Sequence, residues 1–182
     1  MKSLYTYINE SEELLYHFTN GRNLVNILKT DKFIGCESDS MSPNYKYYMS
    51  TTRQPYAGTG YPTGMIERDI CKIVLDGRKL NSKYKIMPVT WFKGSKNLAI
   101  RDNDPHWDEY KEDRMKQTNT ESEDRVCFNT PTIPRFSKYI KTIVLDTNTI
   151  DPSDADDIIK YADKYGIDVL IAQTTKEFLT MK

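Results

Sequence analysis

Residues 14–30 read LLYHFTNGRNLVNILKT, and this stretch decides the expected fold. Its first five residues are mostly apolar or aromatic, so they predict a short strand that ends at residues 19–21. Asn20 has the side chain of a helix N-cap. The apolar residues that follow recur at the spacing of one helix face: Leu24, Ile27 and Leu28. We therefore expect a strand followed directly by a helix over residues 22–30.

Short apolar strands make up most of the remaining pattern. They are predicted over residues 33–36, 45–51, 70–75, 85–91, 123–128, 139–145 and 167–172. Pro88 is expected to break one of these strands, and Asp76-Gly77 is expected to form a turn. Many short strands after an early helix favour a single α+β domain with mixed or antiparallel pairing over a doubly wound sheet.

A longer helix is predicted near the end of the chain. Asp151-Pro152-Ser153 has the residues that open a helix, and Gly166 is typical of a helix end. Its buried stripe is expected to comprise Ala155, Ile158, Ile159, Ala162 and Tyr165. Further helices are predicted over residues 1–13 and 105–116, and a flexible loop over residues 53–64.

Composition excludes several classes of function. The 182 residues include 26 basic and 26 acidic side chains, so a general electrostatic attraction to nucleic acid or to an anionic membrane is not indicated. A local basic cluster is interpreted as a solvated strand end: Arg78, Lys79, Lys83 and Lys85. No apolar run approaches the roughly 20 residues of a membrane span. The three widely spaced cysteines suggest neither a metal site nor a disulfide framework.

Three polar motifs lie on or next to predicted strands. They are Leu15-Tyr16-His17-Phe18-Thr19, Tyr48-Met49-Ser50-Thr51-Thr52-Arg53 and Glu121-Ser122-Glu123-Asp124-Arg125-Val126. Their order resembles that of ADP-ribosyltransferases, and also a group of phage proteins with similar motifs. The resemblance covers most of residues 14–145 and implies an ADP-ribosyltransferase-like split sheet, with NAD as substrate and no metal. His17 is typical of one subclass and the Ser-Thr element of another, which leaves the acceptor open.

The resemblance implies that Glu123 stabilises the positive charge that develops on the NAD ribose as the bond to nicotinamide breaks. Glu121, on the same strand face, would orient or deprotonate the acceptor. His17 would hydrogen-bond the NAD ribose or the nicotinamide amide, and Thr19 would support the adenosine side. We expect His17, Ser50 and Glu123 to line one pocket. The alternatives are an exposed face of an edge strand for the two glutamates and a ligand-free, partly buried imidazole for His17.

Further cofactor-binding residues follow from the same resemblance. Three neighbouring hydroxyl residues would hold the nicotinamide end and brace the glutamate, or would only form cross-strand hydrogen bonds: Ser50, Thr51 and Thr52. Arg53 would bind the pyrophosphate in a fork, or form a surface ion pair. Tyr56 or Tyr61 would stack on nicotinamide, or only pack.

The first residues resemble the capsid-targeting sequence of internal head proteins of large tailed phages. Met1-Lys2 opens an aromatic segment, and Ile8-Asn9-Glu10 followed by Ser11 fits the cleavage rule of a prohead protease. The resemblance implies cleavage between Glu10 and Ser11, a domain over residues 11–182, and transport inside the phage head to the host cytoplasm. The alternative is a helix packed on the domain.

Three functions remain open on this basis. The first is an enzyme that transfers ADP-ribose from NAD to a host macromolecule, with a host protein favoured and a nucleic acid as the other acceptor. The second is an inactive binding protein of the same fold that inhibits a host defence factor. The third is a packaging role inside the phage head. The resemblance favours the enzyme, with the inactive binding protein as its first alternative.

Overall fold

The opening strand and helix form as the sequence predicts. In the computed structural model, which describes residues 14–38, 44–52, 70–90 and 122–181, strand β1 spans Leu14–Asn20 and helix α1 spans Gly21–Thr30. The Asn20 side chain accepts a hydrogen bond from the Asn23 N–H at 2.8 Å and so caps the helix. Asp31 ends α1 in the left-handed conformation with a φ of 52°.

Ten strands and four α-helices follow one another in the described part of the chain. The other strands are β2 Lys32–Ile34, β3 Cys36–Glu37, β4 Tyr47–Thr51, β5 Ile70–Asp76, β6 Lys85–Thr90, β7 Ser122–Phe128, β8 Thr132–Pro134, β9 Ile140–Asp146 and β10 Asp168–Ala172. The other helices are α2 Gly77–Asn81, α3 Pro152–Lys164 and α4 Thr175–Thr180, with a 3₁₀ turn over Phe136–Tyr139.

The strands form two four-stranded sheets and one two-stranded sheet. The first sheet has the order β1-β5-β9-β10 and the second has the order β3-β4-β7-β6, while β2 pairs with β8. Strands β9 and β10 are parallel, and the other pairs are antiparallel. The predicted α+β class with mixed pairing is therefore confirmed.

One apolar core connects the two larger sheets. Ile73 of the first sheet and Met49 and Val126 of the second belong to the same buried cluster, which also takes Leu24 from α1 and Ile158 from α3. Each of these side chains is fully buried. Burial of apolar area supplies the main stabilising term, at roughly 25 cal/mol per Å².

Three local expectations are wrong. Asp76-Gly77 opens helix α2 instead of a turn, because the Asp76 carboxylate accepts from the Lys79 N–H at 3.0 Å and caps a helix. Pro88 does not break β6, which is an edge strand and tolerates a missing N–H. Ile159 is 44% exposed and lies outside the buried face of α3. In addition, helix α4 was not predicted at all.

Several expectations fall outside the described residues. These are the helices over residues 1–13 and 105–116, the loop over residues 53–64, the processing site at Glu10 and Ser11, and the site candidates Arg53, Tyr56, Tyr61 and Glu121. They stay predictions.

Candidate functional site

Strands β1 and β4 join the two large sheets at a single described pair. The Tyr16 N–H donates to the Thr52 carbonyl at 2.8 Å, and the Thr52 N–H donates to the Tyr16 carbonyl at 2.9 Å. A continued antiparallel ladder would next join the main chains of Phe18 and Ser50. Instead, the Ser50 carbonyl accepts a hydrogen bond from Nδ1 of His17 at 2.7 Å. We call this interruption of the ladder between Phe18 and Ser50 the split.

The main chain of Phe18 faces the split. Peptide groups alternate in direction along a strand, so the N–H and C=O of Phe18 point toward the same side as those of Tyr16. The N–H and C=O of Tyr16 both bond Thr52. In a continued ladder the Phe18 N–H would donate to the Ser50 carbonyl, but that carbonyl accepts a hydrogen bond from His17 instead. The split therefore presents one donor and one acceptor side by side, an arrangement that is complementary to a carboxamide.

His17 is held as a neutral imidazole. Its ring meets Phe33 edge-on, with the ring centroids 5.0 Å apart, and burial lowers the pKa of His17 more than the hydrogen bond to Ser50 raises it. Because a carbonyl only accepts hydrogen bonds, Nδ1 carries the proton and Nε2 is left as an acceptor. Nε2 can therefore receive a hydrogen bond from a hydroxyl group of a ligand.

Strand β7 brings three charged residues into the sheet interior beside β4. Glu123, Asp124 and Arg125 are 6%, 0% and 2% exposed. Arg125 Nε lies 3.2 Å from Oε2 of Glu123, which makes a buried ion pair. The edge-strand alternative for Glu123 is thus wrong, because β7 lies between β4 and β6 and its charged end is covered.

Strand alternation sorts the candidates onto two faces. Ser50 is paired with Arg125, so its side chain shares a face with Arg125 and Glu123. Thr51 is paired with Asp124 on the core face, where its hydroxyl donates to the Asp124 carbonyl. This bond is the cross-strand hydrogen bond that was the alternative for Thr51, and a role for Thr51 in bracing Glu123 stays a prediction.

His17 and Glu123 lie on opposite faces of their sheets. His17 shares the core face of β1 with Leu15 and with Thr19, which is half-buried opposite Cys71. Glu123 lies on the other face of the β4–β7 pair. The structure joins His17 to the main chain of Ser50, and a single pocket for His17, Ser50 and Glu123 stays a prediction.

Sequence reasoning missed three contributors to this region. They are the main chain of Phe18, the guanidinium of Arg125 and the ring of Tyr48, over which Arg125 Cζ lies 3.9 Å from the centroid. The spacing of Glu123 and Arg125 at i and i+2 on one strand was a readable signal for the ion pair. The Phe18 contribution comes from register, which side-chain patterns do not carry.

The described residues hold no group of three or more His, Cys, Asp or Glu side chains that could bind a metal ion. Within the same ranges, no helix has the length and apolar character of a membrane span.

Comparison with known proteins gives a clear fold. Neither a protein-family model nor a curated protein matches the sequence. Among solved structures, Thermus sp. 2.9 DarT in complex with carba-NAD+ matches with a TM-score of 0.58 and 14% identity, over 89% of this chain and 96% of that one. The complexes of the same protein with NAD+ and with ADP-ribosylated ssDNA match at TM-scores of 0.53 and 0.55, at 15% and 11% identity. These two matches cover 89% of this chain and 96% and 95% of the other chains. The chain has the ADP-ribosyltransferase-like fold that DarT also has.

Proposed function

We propose that this chain transfers ADP-ribose from NAD to a macromolecular acceptor. The observation that carries the proposal is the split, where the Phe18 main chain offers a donor and an acceptor while His17 holds the opposite carbonyl. The nicotinamide carboxamide has the complementary acceptor and donor. The fold supports the same reading, since solved structures of this fold include DarT bound to NAD+.

Cleavage of NAD and transfer of ADP-ribose give a role to Glu123, His17 and Glu121. The bond between the ribose C1′ and the nicotinamide nitrogen breaks, and its electron pair leaves with nicotinamide. Glu123 stabilises the positive charge that develops on the ribose, and Nε2 of His17 accepts a hydrogen bond from a ribose hydroxyl group. An acceptor oxygen or nitrogen then bonds to C1′ and releases its proton. Glu121, outside the described residues, is the proposed base for that proton.

Single-stranded DNA is the first acceptor to test, ahead of the host protein that charge balance favoured. One DarT complex contains ADP-ribosylated ssDNA. In this chain, α2 and the 3₁₀ turn place several exposed basic residues together, since Lys79 Nζ donates to the Lys138 carbonyl at 3.4 Å. Arg78, in α2, and Lys83, two residues after the helix ends, are also exposed. Such a surface can neutralise phosphates although the whole chain has no net charge.

The test is incubation of the purified protein with labelled NAD and either an ssDNA pool or a host lysate. We expect label on one acceptor class and at least about a 100-fold lower rate for Glu123→Gln. Glu37→Gln is the matched control, because Glu37 is exposed on β3 of the same sheet. Transfer by Glu123→Gln at the parent rate would remove Glu123 from the site. NAD binding without transfer by the parent would favour the inactive binding protein instead.

The delivery route is a separate proposal. We propose that the protein is packaged in a phage head, cut between Glu10 and Ser11, and released into the host cytoplasm with the DNA. The motif Ile8-Asn9-Glu10-Ser11 supports it. Intact-mass analysis of protein from purified phage heads tests it, and a mass that retains residues 1–10 would contradict cleavage.

A further inference from the structure

The buried ion pair on β7 belongs to a longer arrangement on one sheet face. Glu123 and Arg125 are next-nearest neighbours on β7, and Ser50 lies opposite Arg125 on β4. The Arg125 guanidinium contacts Glu123 through Nε and lies over the Tyr48 ring, with Cζ 3.9 Å from the centroid. The planar group is therefore held between a carboxylate on one strand and an aromatic face on the next.

We propose that Arg125, stacked on Tyr48, is a positioning residue that fixes the Glu123 carboxylate for ADP-ribosyl transfer. The inference rests on the proposed function. A carboxylate that stabilises a developing charge must be aimed before the reaction starts, and a misplacement of about 1 Å can cost 100-fold in rate. The contact of 3.2 Å between Arg125 Nε and Glu123 Oε2 fixes the direction of the carboxylate.

Stability alone does not account for this arrangement. A buried ion pair is often no more stabilising than apolar side chains of the same volume, because both charges lose their hydration. On the other face of β7 and β4, Val126 and Met49 are apolar and fully buried, and Asp124 is the one charged neighbour among them. The charged pair instead lies at the end of β7 next to the split, where a fixed carboxylate has a chemical use.

Arginine is the side chain that suits this role. A guanidinium is planar, so it can stack on a ring with its face while its edge donates to a carboxylate. A lysine ammonium keeps the charge but has neither the plane nor the fixed direction of the N–H group. Tyr48 thus holds the Arg125 guanidinium in place, and Arg125 in turn holds the Glu123 carboxylate in place.

The test compares steady-state transfer from NAD by four variants. Tyr48→Phe keeps the ring and should keep the parent kcat. Tyr48→Leu should lower kcat by about 10-fold and Arg125→Lys by more, with KM for NAD changed by less than about twofold, because only transition-state stabilisation is lost. Tyr47→Leu is the matched control. It removes an aromatic ring from the same strand on the opposite face, where Tyr47 stacks on Phe128.

Rates are normalised to the folded fraction from thermal unfolding, so loss of stability does not count as loss of kcat. If Tyr48→Leu and Tyr47→Leu have equal kcat per folded molecule, the positioning role is overturned while the proposed function stands. If the parent transfers no ADP-ribose to any acceptor and does not release nicotinamide, the proposed function fails and the role of Arg125 in it fails as well.

Discussion

Strands β5 and β7 occupy equivalent places but bury different chemistry. Each is an inner strand of a four-stranded sheet. From Ile70 to Leu75, strand β5 is apolar apart from Lys72. Lys72 is fully buried and donates to the main-chain carbonyls of Phe178 and, at 2.7 Å, Met181. Strand β7 instead begins with a carboxylate and a guanidinium that pair with each other.

The difference lies in what each buried charge is paired with. A buried charge must find a partner, because an isolated one would be too costly to desolvate. Lys72 donates hydrogen bonds to carbonyls at the end of α4. It therefore holds this helix against the sheet, which is a structural role. Glu123 pairs with Arg125, which fixes the direction of its carboxylate. Substitutions on the two strands should therefore separate stability from transfer.

The largest effect is expected when the β7 pair is broken. Arg125→Met removes the guanidinium from the buried pair with Glu123 and should lower the free energy of unfolding by about 3–5 kcal/mol. The double variant Glu123→Leu with Arg125→Met should recover most of that loss, because two apolar side chains can replace a buried pair. Urea unfolding measures both free energies.

The double variant should also transfer no ADP-ribose although it is folded. A stable but inactive protein would separate the chemical use of the pair from its contribution to folding. If Arg125→Met lowers the free energy of unfolding by less than about 1 kcal/mol, the ion pair behaves as an exposed one. The contrast between the buried charges of β5 and β7 would then be wrong.

A smaller effect is expected on β5. Lys72→Met keeps the length of the side chain but removes the donor for the carbonyls at the end of α4, at a cost of about 1–3 kcal/mol. Limited proteolysis should release α4 earlier, while transfer per folded molecule is unchanged. Unaltered protease resistance would show that Phe178, which packs against Phe18 with ring centroids 6.4 Å apart, holds the helix without Lys72.

The pH dependence sharpens the same test. Burial lowers the pKa of Lys72 from 10.5 to about 8, so above pH 8 the folded protein has lost a proton that the unfolded chain still binds. The contribution of Lys72 to stability therefore rises from about pH 8 to about pH 10.5. This rise should be absent from Lys72→Met, and its persistence there would assign it to another group.

Local sequence signals predicted much of the fold. The Asn20 cap, the apolar residues of β5 and β9 and the opening of α3 at Asp151 are each signals from neighbouring residues, and each element formed as expected. Helix α4 was missed because it has only six residues and one buried side chain, Phe178. Short helices of this kind are stabilised by tertiary packing, which a local pattern does not contain.

The candidate site was only partly predictable for a related reason. The three motif strands were located from their residues, but the pairing of Ser50 with Arg125 is a matter of register between strands distant in sequence. Register decided which side chains share a face, and so it placed His17 and Glu123 on opposite faces. The bridge between Tyr16 and Thr52 likewise directs the Phe18 main chain toward the split, which no side-chain motif could reveal.

The smallest effect is expected from His17, whose ring is packed where a charge is costly. Burial lowers the pKa of His17 below its ordinary 6.5, so the unfolded chain takes up a proton before the folded protein does as the pH falls. The stability contributed by the neutral ring is thus present above about pH 6.5 and is lost between there and the folded pKa.

His17→Asn is the variant that isolates this titration. The Asn amide can still donate to the Ser50 carbonyl, in place of Nδ1, but it does not titrate in this range. Between pH 7 and pH 5, the parent should lose more unfolding free energy than His17→Asn. His106→Asn, at the other histidine of the chain, controls for a titration elsewhere. If His106→Asn removes the acid sensitivity and His17→Asn does not, the imidazole beside the split is not a buried neutral group, and its Nε2 loses the acceptor role assigned to it.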